Sequence, residues 1–246
     1  MPAPRGPFGA DRKNQRETAI VDDKGRREFR DMVEAYRQRG DPSGWCENVY
    51  RAAEGDVTAV FWADLTPNPW LVSWLAARPA ADGALRAVTI GCGLGDDAEY
   101  LSAHGYRVSA FDISPTAISM CLKRFPDSTV DYLVADLFAH PPAWNQGFDL
   151  VFECNTIQIL PDDFRRRALS AIAAMVAPGG VCLVSCRSRN PGEMLDQIPL
   201  PLDREELDGF VRAGLREEGF AAYDDDQVPP VPHFFAWYRR PRDQGG

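Results

Sequence analysis

The stretch Ala87-Val88-Thr89-Ile90-Gly91-Cys92-Gly93-Leu94-Gly95-Asp96-Asp97 constrains this chain more than any other. Arg86 to Ile90 is β-branched enough for a buried strand, and glycines at alternate positions follow it at once. Helix formers then run on to His104-Gly105, where the glycine ends a helix. A second apolar run, Tyr106 to Phe111, stops at Asp112, about 20 residues past the glycines. Strand, glycine turn, helix, strand and terminal acid build the nucleotide-binding half of a doubly wound α/β sheet. The acid suits a ribose, because one carboxylate can accept both diol hydrogens.

The spacing discriminates between nucleotides. A dinucleotide turn reads G-x-G-x-x-G and sets a pyrophosphate on the bare helix N-terminus. Here the pattern is G-x-G-x-G, with Asp96 in place of the last glycine. Asp96 and Asp97 complement the helix dipole but repel a pyrophosphate. S-adenosylmethionine (SAM) has no phosphate and carries an ammonium, a sulfonium and a ribose, so carboxylates near the turn suit it. The bland alternative is an ordinary tight turn in another α/β protein.

Residues 1–24 are rich in Pro, Gly and charge without hydrophobic period, which predicts a mobile tail. Phe29, Met32, Val33 and Tyr36 then recur at helical spacing up to Gly40, and Trp45, Val49 and Tyr50 suggest a second short helix. Val60 to Trp70 is aromatic and carries Pro67 and Pro69, which oppose regular structure. It either packs the N-terminal helices on the sheet or forms a lid of aromatic faces over a cation. A helix is expected from Leu71, with a break from Pro79 to Gly83.

Beyond Asp112, Ser114-Pro115 opens a helix. Val130 to Val134 is a strand running into Asp136-Leu137, where Asp136 is either a loop cap or a contact for an adenine edge. Phe148 to Glu153 is a fourth strand, and Cys154 to Pro161 lies at its carboxyl end, where ligands bind in such sheets. Asp162 is expected to cap a long helix, and Ala177-Pro178-Gly179-Gly180 to turn it into a strand, Val181 to Cys186. Arg187 to Pro201 is a polar loop that borders a substrate. A last helix from Asp203 to Gly219 leads to a closing hairpin, Phe220 to Val228 with His233 to Tyr238. Asp224-Asp225-Asp226 reads as a solvated turn or edge, since as a metal site it lacks further nearby ligands.

The net charge of −9 argues against a nucleic-acid backbone as partner. No apolar run approaches the roughly 20 residues of a membrane span, and no signal-peptide core is visible, so a soluble cytoplasmic protein is expected. The six cysteines form no C-x-x-C pair and no metal-ligand spacing, which predicts reduced thiols and no metal. With 45% apolar and 26% charged residues a sizeable core is expected.

From Ala87 to Cys186 the motif set resembles the class I SAM-dependent methyltransferases. The segment Phe61-Trp62-Ala63-Asp64-Leu65-Thr66-Pro67-Asn68-Pro69 resembles, within them, the branch of thiopurine, thiol/halide and tellurite-resistance methyltransferases. The resemblance implies a Rossmann-like, mostly parallel seven-stranded sheet, doubly wound, with a C-terminal antiparallel hairpin. It implies a helical cap or lid over 25–83 and a SAM-binding domain over 84–246. Gly91, Cys92, Gly93 and Gly95 would line the methionine and ribose, with Asp96 close by. Asp112 and Ile113 would hold the ribose, Asp136 and Leu137 the adenine, Glu153 and Cys154 the floor beneath the methionine, and Trp62 would cover the cofactor. Asn155 and Arg187 would face the acceptor, although Asn155-Thr156-Ile157-Gln158 lacks the basic residue some members carry there.

The expected chemistry is in-line methyl transfer from SAM to a small nucleophile, a thiol or another heteroatom, with S-adenosylhomocysteine as product. A thiolate needs no general base, and positioning supplies most of the acceleration. A hydroxyl or amine acceptor needs one, and Asp64 and His233 are the candidates. A monomer or homodimer is expected, and the competing readings are an NAD(P)-dependent oxidoreductase and a catalytically silent SAM-binding regulator.

Overall fold

The computed structural model describes residues 23–193 and 198–242. The tail expected over 1–24 falls almost wholly outside them. Seven strands form one sheet in the order β3-β2-β1-β4-β5-β7-β6. The strands are β1 (Arg86–Ile90), β2 (Arg107–Asp112), β3 (Asp131–Val134), β4 (Phe148–Cys154), β5 (Val176–Arg187), β6 (Arg216–Asp224) and β7 (Pro232–Arg239). The first five pair in parallel. β7 runs antiparallel between β5 and β6, so the expected doubly wound sheet with a closing hairpin is what forms.

The helices are α1 (Asp23–Gln38), α2 (Trp45–Ala52), α3 (Pro69–Ala76), α4 (Asp96–Ala103), α5 (Pro115–Arg124), α6 (Asp162–Met175) and α7 (Arg204–Arg212). Alternate strand residues feed two cores, as a sheet covered on both faces requires. One joins Val88, Ile90, Val151 and Val184 to α6 and α7. The other joins Ala87, Phe152, Leu183 and Phe235 to α3, α4 and α5. A third cluster packs Val33, Trp45, Tyr50 and Val60 of the N-terminal segment on Leu94, Ala117 and Met120.

Three local expectations are corrected. Pro69 does not break the chain but opens α3, because Asn68 accepts from the N–H groups of Trp70 and Leu71 and proline fits the first helical position. Gly219 does not end the last helix. That helix stops at Arg212, ahead of left-handed Gly214, and Gly219 lies inside β6. A side chain at Gly219 would come within 1.9 Å of the Trp237 ring on β7, so the glycine makes room for that indole. The P-G-G segment does not separate helix from strand either, since β5 begins at Val176 and carries a register shift opposite Phe148 to Leu150.

Candidate cofactor and acceptor site

Between β1 and α4 the chain turns through Gly91, Gly93 and Gly95, all left-handed at φ +57°, +56° and +90°. L-residues resist that region, which accounts for the glycines. Space demands them as well: a Cβ at Gly91 would sit 2.3 Å from Thr156 Oγ1, and one at Gly95 2.5 Å from the Tyr132 hydroxyl. The turn is therefore clamped between the β4 loop and β3.

Asp112 fastens it to β2. One carboxylate oxygen accepts from Gly93 N at 3.0 Å and the other from Ser114 N at 2.9 Å. The side chain is only 6% exposed. Burial pushes its carboxyl up to about 6, against the pull of the N–H groups of Ser114, Gly93 and Ile113. A buried acid beside a glycine turn, with its oxygens already oriented, is the acceptor expected for a ribose diol.

Asp96 and Asp97 diverge. Asp96 makes a bidentate pair with Arg124 of α5 at 2.9 Å through both oxygens. Asp97 turns toward the end of β4 and accepts from Asn68 N at 2.7 Å. It has no ion pair among the described residues. Burial, then the charges of Asp96 and Asp64, raise it to about 7. A desolvated acid without a cation is costly to ionise and favours a cationic ligand.

Asn68 joins this corner together. Beyond capping α3 and binding Asp97, its Nδ2 donates to Ser185 Oγ at 3.1 Å and reaches Cys154 Sγ at 3.4 Å. Ser185 in turn lies 3.5 Å from the Tyr223 hydroxyl. Reading the sequence singled out neither Asn68 nor Tyr223. An asparagine between two prolines is a cap signal, but nothing local announces a partner 117 positions away.

Glu153 is wholly buried. Its Oε1 accepts from Thr156 N at 2.7 Å and Ile157 N at 2.9 Å, while Oε2 has no hydrogen-bond partner among the described residues. Burial lifts it to about 7. It thus shapes the loop after β4, where Asn155 is left-handed at φ +62° and exposed. Cys154 stays a thiol, its pKa raised by burial and by Asp97 and Glu153.

The N-terminal segment reaches the turn through Tyr50, whose hydroxyl lies 3.3 Å from where a Gly93 side chain would begin. Trp62 stands behind it, donating to the Tyr50 hydroxyl at 3.2 Å and packing edge-on against Trp45 and Phe61. Glu47 accepts from Ser114 Oγ at 2.6 Å and from Thr116 N and Oγ1 at 3.2 and 2.7 Å. Nothing local in the sequence marks Glu47 for this role. Burial raises its carboxyl, but these bonds outweigh burial and the pKa falls below the usual range.

Asp136 is exposed and accepts from Phe138 N at 2.8 Å, capping a short 3-10 turn that buries Leu137. That turn follows Ala135, whose N–H binds Asp112 O at 3.0 Å, so it adjoins the end of β2 at Asp112. Arg187 lies farther along the sheet edge, its N–H held by Gln158 at 2.7 Å, and lines a cavity of about 580 Å³ with Ser188, Ile198 and Phe234. His233 is buried opposite Arg187 on β7, with Nδ1 on Val231 O at 2.9 Å and its ring stacked on Tyr223. Asp64 is exposed, near enough to Asp97 and Cys154 for its charge to raise both pKa values. Gly91, Gly93, Asp97, Asp112, Glu153, Cys154 and Asn155 thus lie together at one end of the parallel strands. All six cysteines are free, and no helix among the described residues is long and apolar enough to cross a membrane.

Residues 87–180 match the family model of the methyltransferase domain. The chain is 29% identical over 125 residues to a ubiquinone biosynthesis O-methyltransferase of Thiobacillus denitrificans, covering 50% of this chain and 53% of that protein. It is 30% identical over 193 residues to an S-adenosyl-L-methionine-dependent Diels-Alderase of Talaromyces variabilis, covering 67% and 63%. The chain thus spans about half to two thirds of these relatives. Among solved structures, the N-methyltransferase NodS of Bradyrhizobium japonicum with S-adenosylhomocysteine superposes with TM-score 0.56 at 17% identity, over 94% of this chain and 100% of that one. The 1,6-didemethyltoxoflavin-N1-methyltransferase of Burkholderia thailandensis gives 0.55 at 18%, over 97% and 94%. At such identities the likeness is one of fold. Fold and family model agree: the stretch from β1 into β5 matches a methyltransferase domain, and the chain shares the fold of these solved methyltransferases.

Proposed function

We propose that the protein transfers the methyl group of SAM to a small-molecule acceptor, with oxygen the favoured nucleophile. The observation that carries this is the glycine turn pinned by Asp112 inside the matched domain. The names of the relatives favour oxygen, whereas the likeness of Phe61 to Pro69 to the thiol-methylating branch favours sulfur. Bound there, SAM would supply an electrophilic methyl on a sulfonium leaving group. Asp112 would hold the ribose diol, the backbone of Gly91 to Gly95 would shape the seat, and Asp97 would balance the cationic methionine end. Asp136 and Leu137 would border the adenine. Tyr50, Trp62 and their aromatic neighbours would exclude water. Asn155 and Arg187 would border the acceptor, and Asp64 or His233 would take a proton from a hydroxyl.

Calorimetry with SAM, S-adenosylhomocysteine and NADH, on the natural protein and Asp112→Ala, tests the cofactor. Saturable binding of both adenosyl ligands, lost in the variant, is expected, and binding of NADH alone would sink the reading. A screen of phenols, catechols, thiols and amines for S-adenosylhomocysteine release then ranks acceptors. The Diels-Alderase relative keeps a second reading in play, a SAM-binding protein that promotes a reaction without methyl transfer. Tight SAM binding with no S-adenosylhomocysteine from any acceptor would favour it.

A further inference from the structure

The opposite end of the sheet carries a feature that methyl transfer does not use. Arg216 opens β6, Arg239 ends β7 and Arg242 follows two residues after Arg240. Arg216, Arg239 and Arg242, with Gly179 and Pro241, line a depression of about 350 Å³. Among the described residues the acid bound to this set is Glu218, whose Oε1 accepts from both Arg216 and Arg239 at 2.8 Å. Arg242 has no ion pair among the described residues. Its guanidinium lies over left-handed Gly179, where a Cβ would approach Nε to 2.7 Å, so the glycine gives it room. Arg239 is also tethered through Nη1 to Gly179 O at 2.7 Å.

A further cation stands behind. Arg78, at the end of α3, has its pKa lowered by burial and by the charge of Arg239. Arg240 is turned elsewhere, onto the carbonyls of Val176 and Ala173 at 2.7 Å. Three guanidiniums thus surround a hollow, two of them sharing the Glu218 carboxylate and Arg242 making no ion pair among the described residues, in a chain whose net charge is −9. Like charges held together by fixed strand ends repel unless an anion lies between them. Planar guanidinium forks match tetrahedral oxyanions through paired hydrogen bonds.

We infer that Arg216, Arg239 and Arg242 form a second ligand site, for a phosphate-class dianion, at the end of the sheet away from the glycine turn. The ligand is a free phosphate ester or the phosphate headgroup of a lipid, since both present the same oxyanion. The site is independent of methyl transfer and is tested by binding alone.

The experiment titrates the full chain with inorganic phosphate and pyrophosphate by calorimetry at constant ionic strength, beside chloride. Arg242→Glu and Arg216→Ala are run in parallel, both exposed positions whose exchange spares the core, with Asp112→Ala as control. Saturable phosphate binding, weakened at least about tenfold in Arg242→Glu and unchanged in Asp112→Ala, is expected. Sedimentation with phosphatidylcholine vesicles with and without phosphatidic acid separates the sources: retention on the acidic vesicles alone assigns the lipid headgroup, and none assigns the free ester. Heat changes that chloride reproduces, or phosphate binding equal in Arg242→Glu, would overturn the site.

Discussion

The glycine turn and the ends of β4 and β5 lie side by side, yet they are put together differently. At the turn, the glycines and the acid that pins them fall within the 27 positions from Arg86 to Asp112, and backbone conformation does most of the work. At the β4–β5 end, geometry depends on side chains from distant segments: Asn68 reaching Ser185 and Cys154, Tyr223 reaching Ser185, Gln158 holding Arg187. Under the proposed methyl transfer, a locally built seat for SAM beside an end assembled from long-range contacts would allow the acceptor to vary while the cofactor does not. Substitutions should therefore fall into two kinds, those that abolish the seat and those that retune the edge.

The largest effect is expected at Glu153, where the two regions share a loop. Glu153→Leu strands two buried N–H donors and should cost about 4 kcal/mol in denaturant unfolding, while Glu153→Gln keeps an acceptor and should cost about 1 kcal/mol. Equal losses would show that the carboxyl merely fills space. Next comes Gly91→Ala, which adds left-handed strain of about 1–2 kcal/mol to the clash with Thr156. Thr156→Ala in the same chain should recover part of the stability but not the strain. Complete recovery would mean that backbone conformation is not what makes glycine necessary.

A smaller effect concerns pH. Burial raises Asp97 above its unfolded value, so the folded, ligand-free chain holds that proton more tightly. Its contribution is present below about pH 4 and is lost as pH rises through about 7. A cationic ligand needs the ionised form, so SAM affinity should climb between pH 6 and 8, by about tenfold, with proton release on binding. Calorimetry in buffers of different ionisation enthalpy reads this directly, and Asp97→Asn should flatten it. The smallest change belongs to Asp64→Asn, exposed at the rim: transfer to a thiol should alter by less than about threefold, and a large loss confined to hydroxyl acceptors would make Asp64 the base.

The same contrast accounts for what the sequence disclosed. The strand, turn, helix and acid from Arg86 to Asp112 were legible because period, glycine spacing and acid placement are local signals. So were α2, α5 and the hairpin in outline. Gly219 misled because a glycine that admits the Trp237 ring looks, in sequence, like one that ends a helix. Pro69 misled in the opposite sense, since its neighbour Asn68 turns a breaker into a first helical residue. The divergence of Asp96 and Asp97 was not legible, because adjacent helical residues point about 100° apart and only Arg124 and Asn68, both remote, decide which acid is neutralised.

One consequence of the strand order concerns assembly in time. β6 touches the sheet through β7 alone, and β7 comes last of the seven along the chain. During synthesis β5 therefore keeps an open edge after everything before it has emerged, and β6 has no neighbour to receive it. The final strand works as a keystone: it closes the growing edge, brings in the outermost strand and seats His233 beside Tyr223 in a single docking event. The end of the sheet that carries Arg187 and His233 is thus complete only once β7 is in place, whereas the glycine turn and Asp112 lie wholly in earlier parts of the chain.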